Sequence, residues 1–169
     1  MMKTKKSLVI LLGLALAVPI VTLAIAAQAL AGRNAPARPQ GPCDVYAANG
    51  APCVAAHSST RALLAGYNGP LYQVLRQSDG KKLDIGVVQP SGGPAADAGG
   101  YADAAAQDAF CANTVCWITT LYDQSGKGNN LVQAPRGAFS GPAMGGFNNL
   151  PIADMAPVTV LGHKVYGVY

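Results

Sequence analysis

One stretch decides the fold of this chain, residues 110–131, Phe-Cys-Ala-Asn-Thr-Val-Cys-Trp-Ile-Thr-Thr-Leu-Tyr-Asp-Gln-Ser-Gly-Lys-Gly-Asn-Asn-Leu. Residues 115–122 are rich in β-branched and aromatic side chains, which predicts a strand. Residues 123–130 predict a tight turn, because glycine accepts positive φ and Asp, Ser and Asn side chains bond their own backbone. A strand that begins beside two cysteines and ends in a polar turn is typical of secreted all-β proteins.

Short strand and turn signals continue on both sides of this stretch. Strands are predicted at residues 71–76, 82–88, 131–133, 158–161 and 164–168. Turns at residues 78–80 and at Gly162-His163 would make two hairpins. Brief helices are predicted at 61–65, capped by residues 58–60, and at 103–110. Residues 89–100 and 134–149 are predicted loops. The pattern predicts an all-β fold, in the form of a β-sandwich.

The N-terminus has the features of an export signal. Three lysines precede an uncharged apolar run at residues 8–27, and the Ala-x-Ala patterns at 27–29 and 29–31 suit cleavage. Residues 1–31 are therefore predicted to be a signal peptide. The run is about 20 residues long, so an uncleaved membrane anchor is the alternative. Residues 32–42 are a Pro-rich linker, and residues 43–169 are the predicted domain.

Charge and cysteine content narrow the class of protein. The chain has 12 basic and 8 acidic residues, and removal of the leader leaves 9 basic residues. No basic patch then remains, which predicts no nucleic-acid partner. Four cysteines in an exported chain predict two disulfides, with three pairings open. The local pairing is favoured because each pair encloses a short loop with turn residues: Cys43–Cys53 and Cys111–Cys116.

Candidate chemistry is sparse. His57 and His163 lack metal-ligand spacing, so no metal and no cofactor is expected. The sequence has no Glu, and its acids are Asp44, Asp79, Asp84, Asp97, Asp103, Asp108, Asp123 and Asp154. Nothing in their spacing selects the two carboxylates that a glycosidase needs. We interpret Asp123 as a turn cap for the N–H groups of residues 125–126 rather than a catalytic group.

Other site hypotheses are weaker than their structural alternatives. A Ser–His–Asp set can be assembled from His57 and Ser125, but Ser125 lacks the Gly-x-Ser-x-Gly context of a nucleophile. Trp117, Tyr122, Tyr67 and Tyr72 could stack on sugar, although aromatic residues on strands are more often core. No catalytic, substrate-binding or metal residue is assigned from the sequence.

Several motifs in order carry a family resemblance. They are Gly41–Tyr46, Pro52–Ser58, Gly69–Val74, Ala106–Thr114, Tyr122–Gly126, Gln133–Pro135 and Lys164–Val168. Together they closely resemble the N-terminal part of the catalytic domain of the α-L-arabinofuranosidase B family, glycoside hydrolase family 54. The resemblance covers the chain from about residue 41 onward.

The resemblance implies a concanavalin-like, jelly-roll type β-sandwich that releases terminal arabinofuranose with retention. It implies plant cell-wall polysaccharide, arabinan and arabinoxylan, as the partner, and the same two local disulfides. The family's catalytic Glu and Asp, and its sugar-contacting vicinal cysteines, correspond to positions beyond Tyr169, so no catalytic residue is carried over. A β-trefoil arabinose-binding domain commonly follows in this family.

The C-terminal sequence agrees with these implications. Residues 165–169 are strand-like to the end, and an unpaired edge strand is unusual in a complete domain. We expect this chain to be the N-terminal part of a longer secreted protein and to be inactive alone. The full-length protein is expected to be a monomer without stable membrane association after signal cleavage. The alternative is a stand-alone lectin-like carbohydrate-binding sandwich.

Overall fold

The computed structural model describes residues 35–134 and 149–168. The signal peptide predicted at 1–31 and most of the loop predicted at 134–149 lie outside these residues. The described residues fall into two compact units. The first contains residues 35–37 and 90–98, in which Ser91 and Asp97 exchange two backbone hydrogen bonds of 2.8 and 2.9 Å. The second contains all the helices and strands below.

Antiparallel strands dominate this second unit. The described elements are α1 (Pro42–Ala48), β1 (Pro70–Arg76), β2 (Lys82–Gly86), α2 (Ala104–Phe110), β3 (Cys116–Leu121), β4 (Leu131–Val132), β5 (Ala156–Val160) and β6 (His163–Gly167). One sheet has the order β2-β1-β3-β4, and β5 and β6 form a second sheet. Every neighbouring pair is antiparallel, which confirms the prediction of an all-β fold.

Strand β1 is the centre of the core because it pairs on both sides. Val74 lies opposite Leu83 of β2 and Ile118 of β3, and its side chain is fully buried. Val165 of β6 belongs to the same buried cluster. Burial of each such aliphatic side chain stabilises the fold by about 1.5–3 kcal/mol. The core therefore includes residues from both sheets.

The last hairpin differs from its prediction by one residue. Val160 pairs with His163, so the two-residue turn is Leu161-Gly162 and β6 begins at His163. Both turn residues have positive φ, 52° and 83°. A two-residue hairpin of this kind needs positive φ at both positions, which Leu rarely adopts. The prediction of a turn at Gly162-His163 is therefore wrong.

The helix predicted at residues 61–65 is absent from the structure, and an unpredicted helix, α1, precedes it. The N–H groups of Ala62 and Leu63 bond the Gly100 carbonyl and the Gln124 side chain, at 2.6 and 2.7 Å. These partners replace the local bonds of a helix. Helix α1 begins at Pro42, and its Asp44 carboxylate accepts from Gly41 N at 2.8 Å and Ala65 N at 2.7 Å.

The structure forms two disulfides, Cys43–Cys53 and Cys111–Cys116, which is the local pairing that the sequence favours. The first joins α1 to the segment that follows it. The second joins the end of α2 to the start of β3. Within the described ranges, no helix has both the length and the apolar character needed to cross a membrane.

Candidate functional site

The carboxylate of Asp123 organises the turn that follows β3. Its Oδ1 accepts hydrogen bonds from Ala56 N at 2.8 Å and Ser125 N at 2.9 Å. Its Oδ2 accepts from Ser125 Oγ at 2.8 Å and Asn129 N at 3.0 Å. The predicted turn cap is confirmed at Ser125. The second donor is not residue 126, as predicted, because Ala56 and Asn129 take that role.

These four donors determine the charge of Asp123. Burial alone raises the pKa of the carboxyl, but the hydrogen bonds from Ser125, Asn129 and Ala56 outweigh it and hold the pKa well below its usual range. The group is therefore ionised at neutral pH. A carboxylate offers about four lone-pair sites, and four donors already occupy them. Asp123 is poorly suited to act as a general acid, and its oxygens serve the turn.

Gln124 ties this turn to the segment that was predicted to be helical. Its side chain is 4% exposed. Its Oε1 accepts from Leu63 N at 2.7 Å, and its Nε2 donates to the Arg61 carbonyl at 3.2 Å. Its backbone N–H donates to the Ala56 carbonyl at 2.8 Å. The buried amide thus satisfies backbone groups that regular secondary structure leaves unpaired.

His57 and Ser125 lie at the same turn but do not form a catalytic triad. His57 Nε2 is 2.6 Å from the Asn129 carbonyl oxygen, which can only accept, so Nε2 carries the proton. The Ser125 hydroxyl donates directly to Asp123. In a triad, the imidazole lies between the serine and the carboxylate. Here the carboxylate and the serine are paired with each other, and His57 closes the turn.

The aromatic candidates have different surroundings. Tyr72 is fully buried, and its hydroxyl donates to Gln107 Oε1 at 2.6 Å, so the core interpretation is correct for it. Tyr122 is half-buried and donates to Asp84 Oδ1 at 2.8 Å. Burial, which is the larger cause, and this hydrogen bond together raise the pKa of Tyr122 to about 12. Trp117 of β3 is also half-buried.

A second polar group, the α2–β6 cluster, consists of Asp108, Lys164 and Tyr166. Lys164 Nζ donates to Asp108 Oδ2 at 2.5 Å and to the Tyr166 hydroxyl at 2.9 Å. The Tyr166 hydroxyl donates to Asp108 Oδ1 at 2.6 Å. Burial raises the pKa of Asp108, but these bonds lower it below its ordinary value. The bond to Asp108 raises the pKa of Lys164.

Most of the eight acids accept hydrogen bonds within the fold. Those with described partners are Asp44, Asp79, Asp84, Asp103, Asp108 and Asp123. Asp79 pairs with Arg76 at 2.7 Å, and Asp103 caps α2 through Ala106 N at 3.0 Å. Within residues 35–134 and 149–168, no three His, Cys, Asp or Glu side chains form a group that could hold a metal ion.

Comparison with known proteins gives a consistent result. Residues 42–169 match the family model described as the catalytic domain of α-L-arabinofuranosidase B. The chain is 58% identical over 129 residues to α-L-arabinofuranosidase B of Emericella nidulans. It is 56% identical over 129 residues to an arabinofuranosidase/β-xylosidase of Trichoderma koningii. Each alignment covers 76% of this chain and 24% of the relative.

Solved structures agree with the sequence comparisons. An arabinofuranosidase complexed with arabinofuranosyl-α-1,2-xylobiose is similar at a TM-score of 0.67 and 53% identity. A GH54 α-L-arabinofuranosidase soaked with a cyclic sulfate inhibitor is similar to the same extent. Both similarities cover 76% of this chain and 25% of the solved chain. The chain thus spans about a quarter of the length of the relatives that it matches.

Proposed function

The chain belongs to the α-L-arabinofuranosidase B catalytic-domain family, and we propose that it forms the N-terminal part of such a catalytic domain in a secreted α-L-arabinofuranosidase. The observation that carries this proposal is the family match over residues 42–169. The 53% sequence identity to a solved arabinofuranosidase supports it. Because the chain spans only 24% of its curated relatives, the activity is proposed for the whole protein.

We propose that the substrates are arabinan and arabinoxylan. One similar solved structure is complexed with an arabinofuranosyl-substituted xylobiose, which supports an arabinose side chain on xylan as the group that is released. The reaction would proceed with retention, in which a nucleophilic and an acid/base carboxylate lie about 5–5.5 Å apart. An 1H NMR record of the first-formed arabinose should show the α anomer, and the β anomer would contradict retention.

The catalytic carboxylates are proposed to lie outside these 169 residues. Asp123 has four donors on its two oxygens, and Asp108 is paired with Lys164 and Tyr166. A nucleophile needs a lone pair free to face the anomeric carbon, and an acid/base group needs a pKa near the working pH. The depressed pKa values of both groups oppose the second role.

This chain would then supply a scaffold for the reacting groups. We propose a concanavalin-like, jelly-roll type β-sandwich in which further strands complete the two sheets. Strand β4 is at the edge of its sheet and is only two residues long, and Val132 on it is 67% exposed. An exposed apolar edge strand is a surface that native proteins normally cover. The two disulfides would stiffen the scaffold in an oxidising compartment.

Export is part of the proposal. Cleavage after the predicted signal peptide, residues 1–31, would release a protein without stable membrane association, monomeric when full length. N-terminal sequencing of the mature protein should begin at residue 30 or 32, after one of the two Ala-x-Ala sites. A mature protein that retains Met1 would support the membrane-anchor alternative.

The activity is tested on the parent gene. Sequencing past the codon for Tyr169 should reveal further coding sequence with a Glu and an Asp of the same domain. The complete product should hydrolyse 4-nitrophenyl α-L-arabinofuranoside, and substitution of that Glu by Gln should abolish turnover. A stop codon directly after Tyr169, with no activity in the natural protein, would contradict the enzyme proposal.

A carbohydrate-binding domain without catalysis is the second candidate. The half-buried Trp117 on β3 favours it, because an accessible indole can stack on sugar. Titration of the chain with arabino-oligosaccharides while following Trp117 fluorescence tests this candidate. A saturable change, together with a stop codon after Tyr169, would support it. A flat titration would count against it.

A further inference from the structure

An open cavity with both apolar and polar lining residues lies beside the first turn of α2 and the start of β6. Its volume is about 320 Å³, near the lower end of the range for small-ligand pockets. The side chains that carry its chemistry are Tyr101, Asp103, Asp108, His163 and Lys164. A cavity of this size with charged walls can hold many water molecules, so it differs from a packing void in the core.

The α2–β6 cluster fixes two of these side chains. Lys164 Nζ bonds both Asp108 and the Tyr166 hydroxyl, and Tyr166 is buried. An ammonium has three donors, so Lys164 has one donor beyond these two bonds. These two bonds restrain the ammonium although the Lys164 side chain is 53% exposed, so a ligand that accepts from it would cost less additional side-chain entropy. The site is therefore preorganised on this side.

The other side of the cavity has a helix cap and a ring pair. Asp103 Oδ1 accepts from Ala106 N at 3.0 Å, which holds the carboxylate at the start of α2. The second carboxylate oxygen, Oδ2, is an acceptor beyond that bond. The rings of Tyr101 and His163 are stacked, with centroids 3.7 Å apart and planes 10° apart. Stacking restrains both rings where they line the cavity.

We propose that this cavity is a sugar-binding subsite that holds a neutral pentose residue of the polysaccharide. Carboxylate oxygens accept from sugar hydroxyls, the Lys164 ammonium donates to them, and aromatic rings contact sugar C–H groups. Two carboxylates against one ammonium disfavour a uronate or a phosphate. The choice of a pentose rests on the proposed function, whereas the neutral-polyol chemistry rests on the cavity itself.

The test is a titration of the 15N-labelled full chain, followed by amide chemical shifts. The probes are methyl α-L-arabinofuranoside and methyl β-D-xyloside, with glucuronate as the anionic comparison. We expect saturable shifts of the Ala104, Ala105 and Lys164 amides, with a dissociation constant on the order of 1 mM for a neutral pentoside. No change in these amide shifts, changes only at other amides, or equal changes with glucuronate would overturn the proposal.

A matched pair of variants adds a second readout. Asp103→Asn keeps a good N-cap but replaces the carboxylate acceptor, so we expect binding about fivefold to tenfold weaker. Asp154→Asn makes the same change at an exposed acid outside the cavity and should leave binding unchanged. Equal affinity in wild type and Asp103→Asn would overturn the proposal.

The subsite and the activity can fail separately. Hydrolysis of 4-nitrophenyl α-L-arabinofuranoside by the complete protein reports on the enzyme proposal, and the amide shifts at the cavity report on the subsite. The control Asp154→Asn should change neither. Loss of binding at the cavity in a complete protein that remains active would reject the subsite alone. Binding at the cavity in a complete protein without activity would reject the enzyme proposal alone.

Discussion

Replacement of Gln107 by leucine tests how helix α2 is joined to β1 and to the segment before β5. Gln107 is 1% exposed on α2, its Oε1 accepts from the Tyr72 hydroxyl at 2.6 Å, and its Nε2 donates to the Ala153 carbonyl at 2.9 Å. Leucine has a similar volume but leaves both partners without this bond. A buried polar group that loses its partner costs about 1–3 kcal/mol. Gln107→Leu should therefore lower the free energy of unfolding by about 2–5 kcal/mol.

Urea unfolding followed by Trp117 fluorescence measures this change. Gln77→Leu is the control, because Gln77 is exposed at the end of β1, and its effect should stay within about 0.5 kcal/mol. Tyr72→Phe removes the same hydrogen bond from the other side. The double variant should cost less than the sum of Tyr72→Phe and Gln107→Leu, with a coupling of about 1 kcal/mol. A Gln107→Leu effect no larger than the control would refute this reasoning.

Three further predictions concern the turn, a disulfide and a close backbone contact. The Asp123 carboxyl has a lowered pKa in the folded state, so its contribution to stability is present above the unfolded pKa of about 4 and is lost as pH falls below it. Asp123→Asn should therefore lose less stability in acid than the wild type. The measurement is the urea midpoint of unfolding at a series of pH values from neutral downward. The same dependence of the midpoint on pH in both proteins would argue against the four-donor turn. Alanine at both Cys111 and Cys116, which close a loop with a separation of 5 residues, should cost about 2 kcal/mol by chain entropy; a loss of less than about 0.5 kcal/mol in thermal unfolding would contradict this. In Gly41→Ala the new Cβ would lie 2.2 Å from the Leu63 backbone carbonyl oxygen. We therefore expect the free energy of unfolding in urea to fall by about 1–3 kcal/mol. Unchanged stability would show that the start of α1 does not pack against Leu63.

Local sequence signals predicted most of the regular structure. The strand predicted at 115–122 is β3, Cys116–Leu121, and the helix predicted at 103–110 is α2, Ala104–Phe110. The strand predicted at 131–133 is β4. In each case the β-branched content, the cap or the alanine content is a property of the segment itself. Such signals do not depend on distant parts of the chain.

One wrong prediction, the helix at residues 61–65, depends on a distant partner. The segment 61–65 has a plausible cap and helix-forming residues, but the Gln124 amide takes the Leu63 N–H across 61 positions of sequence. Local propensity cannot show such a partner. Helix α1 was missed although Pro42 at its first position and Asp44 in its first turn are start signals. The Pro-rich composition before residue 42 obscured them.

The site shows the same division between local and distant information. The sequence predicted that Asp123 caps its own turn, and the bond from Ser125 agrees with that. The bonds from Ala56 and from the Asn129 N–H, and the closure by His57, depend on how residues 54–65 fold over the turn. The α2–β6 cluster joins residues 56 and 58 positions apart, and no local signal predicts that they meet.

We propose that the Asp123 and Asp108 carboxylates serve the fold and that the acids which cleave arabinofuranosides lie outside this chain. The most direct test is the rate at which the purified 169-residue chain hydrolyses 4-nitrophenyl α-L-arabinofuranoside. We predict a rate equal to that of buffer, for the wild-type chain and for Asp123→Asn alike. Turnover by the wild-type chain that Asp123→Asn abolishes would contradict the account.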